Sequence, residues 1–267
     1  MIEINKIYCE NCLDTMGRMD DNFIDLVVSS PPYDDLRKYN GYSFDFETIA
    51  KELYRVTKIG GVVVWIVGDS TSNGSESGTS FKQALYFKDI GFNLHDTMIY
   101  RKINYIPLTH NRYEQCFEYM FVLSKDKPKT FNPILERCVT GGIYYDKYKK
   151  SKAKEGAIRQ RPIDFSTKNS KIKSNIWEYN IGQNTDNGSH PAPFPEQLAE
   201  DHIISWSNKE DLIYDPFTGS GTTQKMAIRN GRNFIGSEIS KEYYDIAVER
   251  IKNIKEKTET SLASIIE

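Results

Sequence analysis

The stretch "YDPFTGSGTT" (214–223) completes the short apolar run "DLIYD" (211–215) and leads into a helix-forming segment. Gly219 and Gly221 permit a tight turn in which the backbone can approach a ligand, and Thr222 and Thr223 suit the opening of a helix. A strand, a glycine-rich turn and a helix in succession are the building unit of an α/β sheet, whose ligands sit beyond the carboxyl ends of its strands.

The ligand class follows from what this turn lacks. No GxxxxGK[ST] is present, so it is not a Walker phosphate loop. A GxGxxG dinucleotide fingerprint fails as well, because the residue three after Gly221 is Gln224. Glu238, in "IGSEIS", stands 23 residues beyond Asp215 at the end of the next predicted strand. A carboxylate there can accept both hydroxyls of a ribose. An adenosine without a pyrophosphate fits this combination, and S-adenosylmethionine is such a molecule.

Outward from the turn, short β-rich runs alternate with amphipathic segments. Strands are predicted at 6–9, 25–30, 61–67, 96–102, 119–125, 211–215 and 232–238. Helices are predicted near 44–57, 79–90, 194–207, 222–230 and 240–255. Gly60–Gly61 and Gly91 are read as closing the first two helices. "GDSTSNGSESGTS" (68–80) is small and polar throughout, and is expected to be a mobile loop. The alternation predicts an α/β domain built on these seven strands. Residues 126–185 lack clear periodicity and read as an inserted lobe.

Composition is that of an ordinary globular chain: 267 residues, 39% hydrophobic and 27% charged, with a net charge of −2. The charge is unevenly placed. Between Lys125 and Ser174 there are 14 Lys and Arg against 5 Asp and Glu, a local net of +9 that leaves −11 for the remainder. Tyr144, Tyr145, Tyr148 and Phe165 lie among those cations. Such a segment suits a phosphate-facing surface, and by composition alone it suits a solvated insertion equally well. No apolar stretch reaches membrane-spanning length and no signal peptide is evident, so a cytoplasmic location is expected, without a membrane partner. Cys9 and Cys12 form a CxxC, but no second pair completes a zinc set, and no metal is expected.

The second decisive stretch is "SSPPYDD" (29–35), at the end of the run "DLVV". Consecutive prolines end a strand and stiffen the corner that follows. Beside "DPFTGSGTT", the "SPPY" at 30–33 resembles the catalytic motif of amino-methylating DNA methyltransferases, and the glycine turn resembles their cofactor loop. "NIWEYNIG…HPAPFPEQLAEDHI" (175–203) is similar to the segment that precedes that loop. The order of catalytic motif, basic lobe, "HPAPFPEQL" and cofactor loop resembles the circularly permuted β group of the family. The likeness covers about 1–125 and 175–250. It implies a Rossmann-like methyltransferase fold with a mixed, mostly parallel seven-stranded sheet and helices on both faces, 1–125 forming its catalytic half and 186–267 its cofactor-binding half.

The resemblance implies transfer of a methyl group from S-adenosylmethionine to the exocyclic amine of a flipped-out base in double-stranded DNA, at a specific site. It implies cofactor contacts from Asn11, Asp215, Phe217, Gly219, Ser220, Gly221, Thr222, Thr223 and Glu238. Asn11 stands where an Asp is usual. The base would be held by Ser30, Pro31, Pro32 and Tyr33. Ser30 Oγ and the Pro31 carbonyl would accept the amine's protons and localise its lone pair, and Tyr33 would stack on the ring. Asp34 and Asp35 could orient the base, or simply shape the loop. Arg112 or Glu114, in a segment resembling the family's target-pocket motif, could face DNA. In that segment Tyr113 stands where a His is frequent. The lobe at 126–185 would carry target recognition. A cognate restriction endonuclease and a second copy of the chain are further expected partners.

Ser30 in the first corner position favours cytosine N4, with adenine N6 as the alternative. Methylation at cytosine C5 is excluded, because the residues preceding the cysteines are Tyr8, Asn11, Gln115 and Arg137 rather than proline. RNA or protein-glutamine methylation, and a catalytically inactive DNA-binding module, are the remaining competitors.

Overall fold

The computed structural model describes residues 2–32, 44–105, 111–137, 170–180 and 195–266. The chain divides into two compact units, one of residues 1–132 with 175–267 and the other of 133–174.

The larger unit begins with β1 (Lys6–Tyr8), α1 (Cys12–Met16), β2 (Ile24–Ser29) and α2 (Phe46–Val56). It continues through β3 (Thr57–Val67), the short β4 (Thr71–Ser72) and β5 (Ser75–Glu76), and α3 (Thr79–Asp89). Next come β6 (Asn93–Lys102) and β7 (Phe117–Ser124). In the smaller unit β8 (Leu135–Arg137) pairs antiparallel with β9 (Ser170–Ile172). The larger unit resumes with β10 (Ile176–Tyr179), α4 (Glu196–Trp206), β11 (Leu212–Asp215), α5 (Thr222–Arg229), β12 (Asn233–Ser237) and α6 (Lys241–Ile266).

Eight strands form one sheet in the order β1-β12-β11-β2-β3-β7-β6-β10. Only β7 runs against the others, pairing antiparallel with β3 and β6. Side chains on a strand alternate between faces. Val63, Trp65 and Val67 of β3 therefore share a cluster with Cys12 and Met16 of α1, Leu53 of α2 and Phe87 of α3. The alternate positions Val62, Val64 and Ile66 are equally buried, on the opposite face. On that face His202 of α4 lies 3.2 Å from the sulfur of Met120, and Thr223 of α5 donates to the Val28 carbonyl. With both faces covered, β2 and β3 read as nearly continuous apolar runs.

The sheet has one strand more than expected. β10 pairs parallel with β6 at the edge, burying Trp177 and Tyr179 while Glu178 faces out. Four residues are too short for alternation alone to announce a strand. The smaller unit, 133–174, starts and ends inside the 126–185 interval.

Two glycine readings change. Gly60 and Gly61 do not close α2, which ends at Val56; they lie inside β3. The pairing register jumps there, from Ile24 opposite Thr57 to Leu26 opposite Val62, so the extra residues form a bulge. Gly60 has φ +81°, and a Cβ on Gly61 would stand 3.0 Å from the Asp25 carbonyl. Gly91 does follow α3, at φ +116°.

Nor is the stretch 68–80 an irregular loop. Ser72-Asn73-Gly74-Ser75 turns a small hairpin, with Asn73 and Gly74 both at positive φ, the geometry an Asn-Gly pair favours. Asp69 then anchors α3 by accepting from the Ser80 N–H at 2.9 Å and the Ser77 hydroxyl at 3.1 Å. Among the described residues no helix is long and apolar enough to cross a membrane.

Candidate active site

β11 and β2 are adjacent and parallel, so Asp215 and Ser29 end side by side. The Ser29 hydroxyl donates to Asp215 Oδ1 at 2.6 Å, and both residues are buried. This hydrogen bond joins the strand that carries the proline corner to the strand that carries the glycine turn. Ser30 and Pro32 are half-buried and Pro31 is buried. Tyr33, Asp34 and Asp35 lie outside the described residues.

Asp215 also accepts from the Phe217 N–H at 3.0 Å through the same oxygen. Its other oxygen, Oδ2, is buried without a hydrogen-bond partner among the described residues. Burial pushes this carboxyl up from 3.8 to about 6, although Ser29, Phe217 and the Thr223 hydroxyl pull the other way. Enclosure of this oxygen, near the Thr223 hydroxyl, is what makes ionisation of the carboxyl costly.

The turn is held from two sides. Gly219, at φ +53°, donates its N–H to Glu238 Oε2 at 2.7 Å, and Ser240 donates to Oε1 at 2.8 Å. Burial raises the Glu238 pKa, helped by the nearby Asp215 charge and opposed by these two bonds and the Ile239 N–H. A carboxylate offers about four acceptor sites, so with the Ile239 N–H also directed at it Glu238 keeps spare capacity for a ligand hydroxyl. On the other side Arg250 of α6 donates to the Ser220 carbonyl at 3.1 Å, and to the Ser220 and Thr222 hydroxyls at 3.3 Å each. Gly221, at φ +81°, sits against α6, where an added Cβ would lie 3.1 Å from that of Ala247. Thr223 opens α5 and ties it to β2 through the Val28 carbonyl at 3.2 Å.

Phe217 packs at the edge of the core, its ring 5.6 Å from that of Phe44 and 6.2 Å from that of Trp65. Asn11 caps α1, its side-chain oxygen accepting the Leu13 N–H at 2.9 Å, so that oxygen has one acceptor site left for an adenine amine. The turn, Glu238 and Phe217 thus line the ends of β11 and β12, with the proline corner beside them on β2. These residues fit an adenosine-bearing cofactor: spare acceptor capacity on Glu238 and Asn11, and a backbone-lined turn that the buried Asp215 supports from beneath. Arg112 is drawn to the small hairpin, donating to the Gly74 carbonyl, whereas Tyr113 is fully exposed.

Sequence reasoning missed Ser29, Glu196, Lys225 and Arg250. Glu196 sits within "HPAPFPEQL" but was given no role, and its neighbours His190 to Phe194 lie outside the described residues. An arginine on an amphipathic helix ordinarily reads as surface, so Arg250 gave no signal.

A model of the DNA methylase family that acts at N6 or N4 matches residues 24–249. The orphan methyltransferase M.BamHII of Bacillus amyloliquefaciens is 55% identical over 239 residues, covering 86% of this chain and 89% of that protein. The type II methyltransferase M.HpaI of Haemophilus parainfluenzae is 26% identical, over 92% of this chain and 74% of its own. Among solved structures, the PvuII cytosine-N4-specific DNA methyltransferase has a TM-score of 0.68 at 20% identity, covering 95% and 92% of the two chains. The M1.HpyAVI–SAM complex gives 0.60 at 22% identity, covering 92% and 98%.

Proposed function

Because the chain belongs to the N6/N4 DNA methylase family and is on that ground an S-adenosylmethionine-dependent DNA amino-methyltransferase, we propose that its target is the N4 amine of cytosine. The observation that carries the choice is Ser30 as the first residue of the proline corner, the position where the family's cytosine-N4 enzymes usually have Ser and its adenine enzymes Asp.

When bound, S-adenosylmethionine supplies an electrophilic methyl group on a cationic sulfur. Asp215, Phe217, Gly219 to Thr223 and Glu238 would hold it, with Glu238 toward the ribose and Asn11 toward the adenine. The proline corner acts on the other reactant. An exocyclic amine delocalises its lone pair into the ring and is a poor nucleophile. The Ser30 hydroxyl and the Pro31 carbonyl accept its two protons as hydrogen bonds, which favours a pyramidal nitrogen with a localised pair. Proline's locked φ sets the carbonyl in advance, so little reorganisation is needed at reaction. The Ser29–Asp215 bond keeps the corner and the turn in register.

The base reaches this corner only when extruded from the duplex, and Tyr33 supplies a stacking surface for it. The segment around 126–185, with its excess of cations, carries target recognition and phosphate contacts. Digestion of methylated DNA to nucleosides, followed by mass spectrometry, tests the assignment. N4-methylcytosine is expected. N6-methyladenine without N4-methylcytosine would refute it and leave the amino-methyltransferase chemistry in place.

A further inference from the structure

We propose that Arg250 is a positioning residue for the cofactor turn, with Glu196 as the counter-ion that keeps it there. This rests on the reading that S-adenosylmethionine binds at 215–223. The family match ends at residue 249, so Arg250 lies just beyond it.

The argument starts from burial. The Arg250 side chain is only 7% exposed, and a guanidinium taken out of water is costly unless it is well paired. Its Nη2 donates to Glu196 Oε1 at the first turn of α4, and the same oxygen takes Lys225 Nζ at 2.8 Å from α5. Nη1 serves the turn alone, bonding the Ser220 carbonyl and the Ser220 and Thr222 hydroxyls. Three helices thus converge on one fork of hydrogen bonds aimed at three turn atoms.

What this fixes is a particular peptide plane. The Ser220–Gly221 peptide has its carbonyl on Arg250 and its N–H on the Thr218 carbonyl at 2.9 Å. Gly221, at φ +81°, lacks the side chain that would otherwise restrict rotation of that peptide. On the other side of the turn, Glu238 holds the Gly219 N–H. An acid and a base therefore each pin one peptide of a glycine-rich turn, and the cofactor meets a backbone already set. Pre-ordering of this kind lowers the entropic cost of binding.

The test compares Arg250→Met and Arg250→Lys with the wild type. Calorimetry gives the S-adenosylmethionine Kd, steady-state assays give KM and kcat, and fluorescence anisotropy gives DNA affinity. Arg250→Met should raise both Kd and KM for the cofactor roughly 10-fold or more. Values of kcat at saturating cofactor and of DNA affinity should stay within about threefold. Arg250→Lys keeps the charge without the fork and should lose less, which keeps the idea testable if the Met variant fails to fold. Glu196→Gln should shift KM in the same direction. A lower melting temperature with unchanged cofactor Kd and KM would make Arg250 a fastener of α6 and overturn the proposal. Loss of kcat at unchanged KM would also overturn it. A wild-type protein that binds no S-adenosylmethionine would overturn the functional reading and this proposal together. Binding by the wild type with equal affinity in the variants overturns only this one.

Discussion

Replacing Asp215 by Asn should make the protein's stability less sensitive to pH, in a direction and by an amount that the burial of this carboxyl sets. The side chain is fully enclosed, and its pKa is raised from 3.8 to about 6. A carboxyl with a folded-state value above its unfolded one destabilises the ionised protein. That penalty is present in full above about pH 6 and fades as pH falls toward 3.8. At pH 7.5 it amounts to about 3 kcal/mol, and roughly half should remain at pH 5. Asn preserves the shape, and its oxygen can still accept from Ser29 and from the Phe217 N–H. It does not ionise. Urea unfolding of both proteins at pH 5 and pH 7.5, without cofactor, gives the difference directly. Groups remote from Asp215 cancel between the two chains, whereas Glu238, whose pKa the Asp215 charge helps to raise, ionises more readily in the variant and adds to the effect in the same direction. The stability of the variant relative to the wild type should rise by about 1–2 kcal/mol between pH 5 and pH 7.5. An unchanged difference, or one of opposite sign, would show that Asp215 ionises as an ordinary carboxyl and would refute the reasoning.

Glu238→Ala should weaken S-adenosylmethionine binding by ~1.5–3 kcal/mol in calorimetry, through loss of a charged acceptor, and Glu238→Gln should lose less because one oxygen still accepts. Unchanged affinity in a folded Ala variant would remove Glu238 from the ribose. Gly221→Ala should cost about 1–3 kcal/mol in urea unfolding and lower cofactor affinity as well. Its residue needs φ +81°, and its new methyl would press on Ala247. DNA affinity should fall with salt at a log–log slope of about 0.9 per phosphate contact, and charge reversal at Lys149 and Lys150, which lie outside the described residues, should reduce that slope without altering cofactor affinity. A salt-independent affinity would make the basic segment a solvated insertion.

Where a segment's own chemistry dictates its structure, the sequence was easy to read. Seven of the eight sheet strands are runs of β-branched and aromatic residues, and the turn after β11 announces itself through Gly219 and Gly221. The adjacency of β2 and β11 emerges only in the structure, because no local signal pairs Leu26 with Ile213. β10 was hidden because four residues at a sheet edge carry too little pattern. Gly60–Gly61 misled for a different reason: a glycine pair after a helix serves equally as a cap or as a bulge. Only the partner strand, with Asp25 pressed against Gly61, selects the bulge. The Asn73-Gly74 hairpin was legible in principle, but its flanking Ser and Thr residues masked it as a flexible linker. At the site, residues placed by the backbone of the turn could be named in advance. Ser29 and Arg250 could not, since each matters only through a partner remote in the chain.

A ribosome delivers β1, β2 and β3 long before the two strands that must stand between β1 and β2. Those two strands, β11 and β12, end only at Ser237. At ordinary synthesis rates the interval is on the order of ten to thirty seconds. Throughout it β2, with the apolar sequence IDLVVS, has an open edge on the side that β11 will occupy. An unpaired apolar edge of that kind invites association with other chains until β11 arrives to cover it. The same delay acts as a safeguard. Any product truncated before β12 has its proline corner and lacks Glu238, and one ending soon after β12 still lacks Arg250. Both groups that hold the turn therefore arrive well after the proline corner has been made.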